Sequence, residues 1–457
     1  MQAYRFALDL TPGQERDLAR HAGVARKAHN WALDRVKAVM AQRAAERSYG
    51  IDDDQLTPAV GWTLPALRRE WNQVKDEVAP WWRECSKEAY NTGLDALARA
   101  LKNWSDSRCG KRAGRQVGFP RRKSKRRTPP SVRFTTGVIR VAPDRKHVIL
   151  PRLGTIKLHE SARKLARRLE AGTARILSAT VRREAGRWHV AFTCEVARSD
   201  RKPSRPTGVV GVDVGIHHLA VLSTGDVEPN PRHLDAAQRS LRRLGRAMAR
   251  KRGPYDPTTR TPITASRRWE RTSKRLSRQH ARVANLRRDG LHKLTTRLAG
   301  EYATIVVEDL NVAGMVRNRR LARAISDAGF GEIRRQLAYK TVWNGGQLVT
   351  ADRWYPSSKT CSGCGTVKPK LPLRIRTFTC QACLLVLDRD LNAARNLAQL
   401  VVAGSGSETV NGRGAHRKTR PGGPVAVKRL PGTASAGQTG TAPPQGGTAD
   451  HALTSAS

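Results

Sequence analysis

The period at which apolar residues recur predicts the elements of the first half of the chain. Residues 4–10 alternate apolar and polar side chains, as a half-buried strand does. Helical spacing follows over about 12–108, after a helix-start signal, Thr11-Pro12-Gly13-Gln14. Strand-like segments return at 132–141, 147–150, 174–182 and 188–196. We therefore predict a small β-barrel that the opening strand completes, with a helical block inserted at about 12–108.

A different pattern begins at about residue 206, where short apolar runs end on acidic residues. The run at 208–213 indicates a buried strand that ends on Asp213, and the run at 304–308 indicates a second that ends on Glu308. The second half is therefore predicted to contain buried strands with a carboxylate at the end of each.

Helical spacing and charge mark the remainder of the second half. Residues 239–300 carry nineteen Lys and Arg against three acidic residues, as expected of a helix pair that lies along a nucleic-acid backbone. A last helix begins within 388–396, which includes Asp390. Past about residue 403 the composition turns to Gly, Pro, Thr, Ala and Ser, so we predict that 404–457 is a disordered tail.

The net charge indicates a polyanionic partner. The chain has 85 Lys and Arg against 38 Asp and Glu, a formal charge of +47, far more than solubility requires. A membrane surface would need an anchor, and the sequence shows neither an amino-terminal signal nor a run of about 18 apolar residues. We therefore expect no membrane association and a nucleoid-associated protein of the cytoplasm. The segment 111–133, with ten Lys and Arg and no acidic residue, favours phosphate contact over a merely solvated face.

Four of the seven cysteines form two pairs that predict a zinc site. Cys361 and Cys364 are separated by two residues, as are Cys380 and Cys383, and fifteen residues lie between the pairs. This spacing is typical of a zinc ribbon, in which two knuckles place four thiolates about 2.3 Å from the ion. Four cysteine ligands leave no open position for water, so the Zn²⁺ is expected to be structural. The alternative is a redox pair or two unrelated pairs.

Asp213, Glu308 and Asp390 are candidate ligands for a catalytic metal. Each alone has an ordinary explanation as a solvated turn residue, and spacing does not show that they converge. However, an acid at the rim of a buried sheet needs a compensating cation. Mg²⁺ prefers such oxygen ligands, and a pair of these ions about 3.5–4 Å apart catalyses phosphodiester hydrolysis.

Several motifs, in this order, carry a resemblance to a known family. They are AHNWAL at 28–33, GFPRRKSK at 118–125, GVDVG at 211–215, VEDLNV at 307–312, YPSSKTC at 355–361 and DRDLNAARN at 388–396. The chain resembles the TnpB (OrfB) family of transposon-encoded RNA-guided nucleases, relatives of the type V CRISPR effectors, up to about residue 400. One departure is Leu384, which follows Cys383 where the family usually has Gly and bears on the tightness of the second knuckle.

The resemblance implies a multidomain α+β architecture. Residues 1–205 would form a wedge β-barrel with a helical recognition insertion at about 12–108. Residues 206–403 would form an RNase H-like RuvC domain, interrupted by the zinc ribbon at about 355–386. Asp213, Glu308 and Asp390 match the family's three catalytic carboxylates, which bind Mg²⁺ or Mn²⁺.

The implied function is RNA-guided, metal-dependent cleavage of double-stranded DNA by a protein associated with an insertion sequence. Base pairing with a guide RNA would read the target sequence. Candidate guide-RNA contacts are Arg121, Arg122, Lys123, Lys125, Arg126 and Arg127. One alternative is a nucleic-acid-binding regulator of transposition with a silent nuclease site, and another is a DNA-joining transposase. The three filled carboxylate positions favour the enzyme, and the sequence does not specify an oligomeric state.

Overall fold

The computed structural model describes residues 1–125, 127–198, 201–253, 255–256, 258, 261–262, 266–372, 374–402 and 428–429. They form two compact units, Met1–Ala197 and Arg198–Ser457. The predicted contact residue Arg126 lies outside the described residues, and so does the predicted disordered tail apart from Lys428–Arg429. In the part of the chain that is described, no helix is both long enough and apolar enough to cross a membrane.

The first unit combines a helical block with an antiparallel sheet. Its elements are β1 (Gln2–Asp9), α1 (Pro12–Ser48), α2 (Leu64–Val78), a 3₁₀ helix (Pro80–Glu84), α3 (Lys87–Arg108), β2 (Ser131–Phe134), β3 (Arg140–Val141), β4 (His147–Leu150), β5 (Gly154–Leu158), α4 (Arg163–Glu170), β6 (Ala174–Glu184) and β7 (Arg187–Val196).

The helix-start signal at Thr11 is confirmed. The Thr11 hydroxyl accepts from the Gln14 backbone N–H, and the Gln14 side chain accepts from the Thr11 N–H, which forms a capping box. Helix α1 then packs closely on α3, because Gly93 has no side chain. A Cβ at Gly93 would lie 2.0 Å from the carbonyl oxygen of Ala25.

The strands of the first unit form an open sheet. Their order is β2-β6-β7-β1-β5-β4-β3, so β1 lies in the middle and β2 and β3 are the edges. The prediction of a closed β-barrel is therefore wrong for the described residues. Closure would require β2 to pair with β3, but β3 has only two residues and pairs with no described strand except β4.

The second unit is a mixed α/β structure. Its elements are β8 (Arg205–Asp213), β9 (His218–Leu222), β10 (Val227–Pro229), α5 (His233–Arg250), β11 (Tyr255–Asp256), β12 (Thr261–Pro262), α6 (Arg267–Glu301), β13 (Tyr302–Val307), α7 (Val312–Met315), α8 (Ala322–Ala328), α9 (Phe330–Trp343), β14 (Gln347–Thr350), β15 (Thr377–Thr379), β16 (Val386–Asp388), α10 (Arg389–Val402) and β17 (Lys428–Arg429).

The main sheet of this unit has the order β10-β9-β8-β13-β14-β17. Its three central strands, β8, β13 and β14, are parallel to one another. The flanking β9 and β17 pair antiparallel with the central strands. The predicted buried strands at 208–213 and 304–308 are therefore neighbours at the centre of one sheet.

Helix α10 crosses directly over β8. A Cβ at Gly211 would lie 1.9 Å from the carbonyl oxygen of Ala394, so only glycine fits beneath the helix. The facing residues Ala393, Ala394 and Leu397 are buried. Gly211 on β8 and Ala394 on α10 thus allow the two backbones to pack in direct contact.

We predict that Gly211→Ala destabilises the protein by roughly 3 kcal/mol, because the added methyl group overlaps the backbone of α10. Urea unfolding measures the change. Gly245→Ala is the control, since a Cβ there meets nothing within 4 Å and alanine favours the α5 helix by up to about 1 kcal/mol. Equal unfolding midpoints for wild type and Gly211→Ala would contradict the packing described here.

Candidate functional site

The parallel pairing of β8 with β13 places two of the candidate carboxylates at one edge of the sheet. Val212 pairs with Val307, and each residue is followed by its acid, Asp213 or Glu308. Because parallel strands end at the same edge, both carboxylates emerge there. Both side chains are partly buried.

The third carboxylate, Asp390, is delivered by the first turn of α10. Asp388 begins the helix, since its side chain accepts from the backbone N–H groups of Asp390 and Leu391 at 2.9 and 3.0 Å. Asp390 lies one helical turn before Ala394, which rests on Gly211. The close crossing therefore brings Asp390 towards the end of β8.

The pKa of Asp213 agrees with the position that the strands and α10 give to the three acids. Burial raises the pKa of Asp213 well above its ordinary value, and the charges of Glu308 and Asp390 raise it further. The positive charge of Arg389 opposes this rise. Asp390 also lies 3.5 Å from Arg376. The structure thus brings together the three predicted residues, of which the first and the last, Asp213 and Asp390, are 177 positions apart in sequence.

The carboxylates nevertheless do not form a closed ligand set. Among the described residues, the four cysteines are the only group of three or more potential metal ligands whose ligand atoms all lie within 4.8 Å of one another. Glu308 is turned towards Ser357, whose hydroxyl donates to its Oε1.

A second acid, Asp309, follows Glu308, and each of its carboxylate oxygens accepts a hydrogen bond from an arginine. Arg334 donates to Asp309 Oδ1, and Arg353 donates to Oδ2 at 2.7 Å. Although burial opposes it, these hydrogen bonds hold the pKa of Asp309 below its usual range. Asp309 is therefore an ion-pair partner that fixes the chain beside Glu308.

Two buried asparagines tie α10 to the segment that leads into the ribbon. Asn392 accepts from the Ser362 N–H at 2.9 Å and donates to the Thr360 carbonyl at 2.7 Å. Asn396 donates to the carbonyls of Ser357 and Thr360 at 2.7 and 2.6 Å. Ser357, Asn392 and Asn396 were not among the predicted site residues. Their only signal was their occurrence in the two quoted motifs.

The four predicted cysteines meet at one point. The Sγ atoms of Cys361 and Cys383 are 3.5 Å apart, and those of Cys364 and Cys380 are 3.6 Å apart. Tetrahedral zinc with bonds of about 2.3 Å separates its sulfur ligands by roughly 3.8 Å. The cluster therefore has the size and the ligand chemistry to hold a zinc ion.

The residue after each knuckle adopts the left-handed conformation. Gly365 follows Cys364 with φ of +78°, and Leu384 follows Cys383 with φ of +59°. Leucine is strained there, and its side chain is 79% exposed. Leu384 thus retains the geometry of a glycine position without displacing a cysteine.

The predicted basic contacts lie on the first unit. The Asn30 side chain holds the Lys123 backbone through two hydrogen bonds of 2.8 and 2.9 Å. Arg122 lies 3.3 Å from Asp34. Lys123 is partly buried, and the exposed members of the group are Arg121, Arg122, Lys125 and Arg127. The segment thus has a fixed backbone and displays cations to solvent.

These features define a multidomain mixed α/β protein that bears a four-cysteine cluster and an acidic edge of parallel strands. Family models match three parts of it: "Probable transposase" at residues 191–319, "Cas12f1-like, TNB domain" at 330–397 and "Helix-turn-helix domain" at 1–44. Over residues 1–44 the structure has β1 and one continuous helix, without a turn between two helices.

Full-length relatives carry consistent names. "Putative RNA-guided DNA endonuclease Rv2885c" of Mycobacterium tuberculosis is 43% identical over 448 residues, covering 92% of each chain. A Streptomyces pristinaespiralis protein with the same description is 33% identical, covering 95% of this chain and 98% of its own. "Putative RNA-guided DNA endonuclease InsQ" of Escherichia coli is 30% identical, covering 87% and 91%. The chain belongs to the TnpB (OrfB) family, as its motifs predicted.

We predict that Asp213→Asn stabilises the protein when no divalent metal is added. The folded state raises the Asp213 pKa, so it binds more protons than the unfolded state above the unfolded pKa of about 3.9. Stability is therefore lost as pH rises, and the variant avoids this loss. Its Tm should exceed that of wild type, and the difference in Tm should grow with pH.

The control is Asp289→Asn, at an exposed acid on α6, for which the difference in Tm from wild type should not grow in this way. A Tm difference between Asp213→Asn and wild type that stays constant with pH would contradict the raised pKa of Asp213.

We also predict that Leu384→Gly stabilises the ribbon by up to about 1 kcal/mol, because it relieves the left-handed strain. The measurement is the concentration of chelator needed to remove half of the zinc, which should rise. Gly365→Ala is the converse variant and should lower it. If Leu384→Gly lowered this chelator concentration and Gly365→Ala raised it, the left-handed φ at these positions would not limit the stability of the ribbon.

Proposed function

We propose that this protein is an RNA-guided DNA endonuclease that hydrolyses phosphodiester bonds with divalent metal ions held by Asp213, Glu308 and Asp390. The observation that carries the proposal is the convergence of three carboxylates at the carboxyl edge of β8 and β13. The names of its full-length relatives support the same activity.

The donor set suits Mg²⁺ or Mn²⁺. Carboxylate oxygens are hard ligands. Burial and the charges of Glu308 and Asp390 both raise the Asp213 pKa, and a bound cation would offset both effects. When bound, such ions activate the attacking water and stabilise the leaving oxygen of a phosphodiester. Family membership implies a RuvC-type assignment of the second unit, and this donor set supports it.

The residues around the carboxylates have positioning roles in this proposal. Ser357 orients Glu308 by donating a hydrogen bond to it. Arg389 is buried and donates to the Pro372 carbonyl and to the Ser358 hydroxyl, so its positive charge is held beside Asp213. The cysteine cluster would hold a structural Zn²⁺ that keeps the Ser357 segment folded.

The proposed partners are a guide RNA and a double-stranded DNA target. The guide would read the target by base pairing, while the protein binds backbone and a short flanking motif. The exposed cations Arg121, Arg122, Lys125 and Arg127, with Lys123 and Arg126, are proposed guide-RNA contacts. In domain terms, 1–205 would be the wedge and recognition module and 206–403 the nuclease module, with the ribbon at about 355–386.

The test is to purify the protein with co-expressed RNA, sequence that RNA, and challenge a DNA library with randomised flanks in the presence and absence of Mg²⁺. Asp213→Ala should retain RNA and DNA binding and lose at least about a thousandfold in cleavage rate, because a ligand is lost. Asp226→Asn, at an exposed acid of the same unit, should cleave normally. Residual cutting by Asp213→Ala would refute the assignment, and wild-type binding without cleavage would indicate a silent regulator.

A further inference from the structure

Trp354 stands out because its large aromatic side chain is left in solvent. It is 85% exposed, more than any other tryptophan in the described residues. Elsewhere tryptophans pack, as Trp31 does against Trp71 and Trp62 against Trp104. In the described part of the chain the Trp354 ring stacks on no other aromatic ring. Aromatic rings displayed in this way are typical of sites where unpaired bases stack.

The turn that carries Trp354 is fixed rather than loose. Its backbone N–H donates to the Asp352 side chain at 2.8 Å, and the next N–H, of Tyr355, donates to the Asp352 carbonyl at 3.1 Å. Tyr355 is partly buried and packs against the apolar cluster of Val306, Val349, Ala351 and Leu397. The side chain of Trp354 is therefore exposed on a turn that the packing of Tyr355 holds in place.

Both ends of this turn are attached to the carboxylate site. Before Trp354, Arg353 donates to Asp309 at 2.7 Å. After it, the hydroxyl of Ser357 donates to Glu308. Three steps of about 3.8 Å put the Cα of Trp354 within about 11 Å of the Cα of Ser357. A stacked strand that advances about 3.4 Å per nucleotide covers this distance in about three nucleotides.

The charge around the turn suits a nucleic-acid strand. Arg353 is exposed beside the tryptophan, and Arg376, 57% exposed, lies next to Asp390. An exposed cation next to an aromatic ring, as Arg353 is next to Trp354, can contact a phosphate of a stacked nucleotide. A base inside a duplex has both faces covered by its neighbours, so an exposed ring favours an unpaired base as its ligand.

We propose that Trp354 is a stacking site for an unpaired base of the DNA strand that enters the carboxylate site. The inference deepens the proposed function and rests on it for the identity of the strand. The ligand class is single-stranded DNA, and stacking there is independent of sequence because every base offers an aromatic face.

The experiment uses the full-length protein with its co-purified RNA, without added divalent metal so that no strand is cut. The probe is a single-stranded DNA of about 12 nucleotides that contains one 2-aminopurine. Wild type should bind it and quench its fluorescence by stacking. Trp354→Ala should weaken binding about tenfold, equal to about 1.4 kcal/mol, and abolish the quenching. Trp354→Phe should retain most of both.

Two controls separate stacking from other effects. Trp81→Ala removes another exposed tryptophan, 46% exposed and on the first unit, and should leave binding and quenching unchanged. A duplex of the same sequence should bind wild type and Trp354→Ala equally. The proposal is overturned if Trp354→Ala quenches like wild type, or if it loses duplex binding to the same extent. It is also overturned if Trp354→Phe behaves like Trp354→Ala, or if the alanine change alters only the oligomeric state measured by light scattering.

This assay does not depend on guided cleavage. If the library experiment fails while Trp354-dependent quenching is present, the proposed nuclease activity is wrong and the stacking site remains. If cleavage is guided and Trp354→Ala is indistinguishable from wild type with the probe, only the stacking site is wrong.

Discussion

The second unit depends on one backbone contact, the crossing of α10 over β8 at Gly211. The carbonyl of Ala394 lies where any larger residue would place its Cβ. One face of α10 is thereby pressed onto the sheet, and its first turn brings Asp390 to the end of β8. Another part of the same helix uses Asn392 and Asn396 to hold the segment that leads into the ribbon. A single helix thus joins the sheet, the acids and the cysteine cluster.

The acidic edge is an electrostatic exception in a chain of charge +47. Burial raises the pKa of Asp213, and the charges of Glu308 and Asp390 raise it further, although Arg389 lies close by. The hydrogen bonds of Ser357 and the ion pairs of Asp309 fix the surrounding backbone against that repulsion. The raised pKa lowers the stability of the folded protein as pH rises, and the cation proposed for this edge would offset that loss.

Much of this organisation could be predicted from the sequence, where local pattern determines structure. The capping box at Thr11, the paired cysteines and the strands ending at Asp213 and Glu308 have short-range signals. The closed barrel was wrong because closure depends on the pairing of distant edge strands, which periodicity does not encode. Ser357, Asn392 and Asn396 were missed because a buried polar residue and a solvated one look alike in sequence. The roles of the carboxylates and basic residues, and the module boundaries, stay predictions.

The position of α10 also has a consequence for biosynthesis. Asp213 and Glu308 are translated well before Asp390, and the Asn392 and Asn396 anchors come later still. A growing polypeptide therefore carries only two of the three acids until the ribosome has released α10 and this helix has docked on β8. Assembly of the acidic site therefore waits for α10, so that truncated translation products ending before residue 390 have an incomplete site.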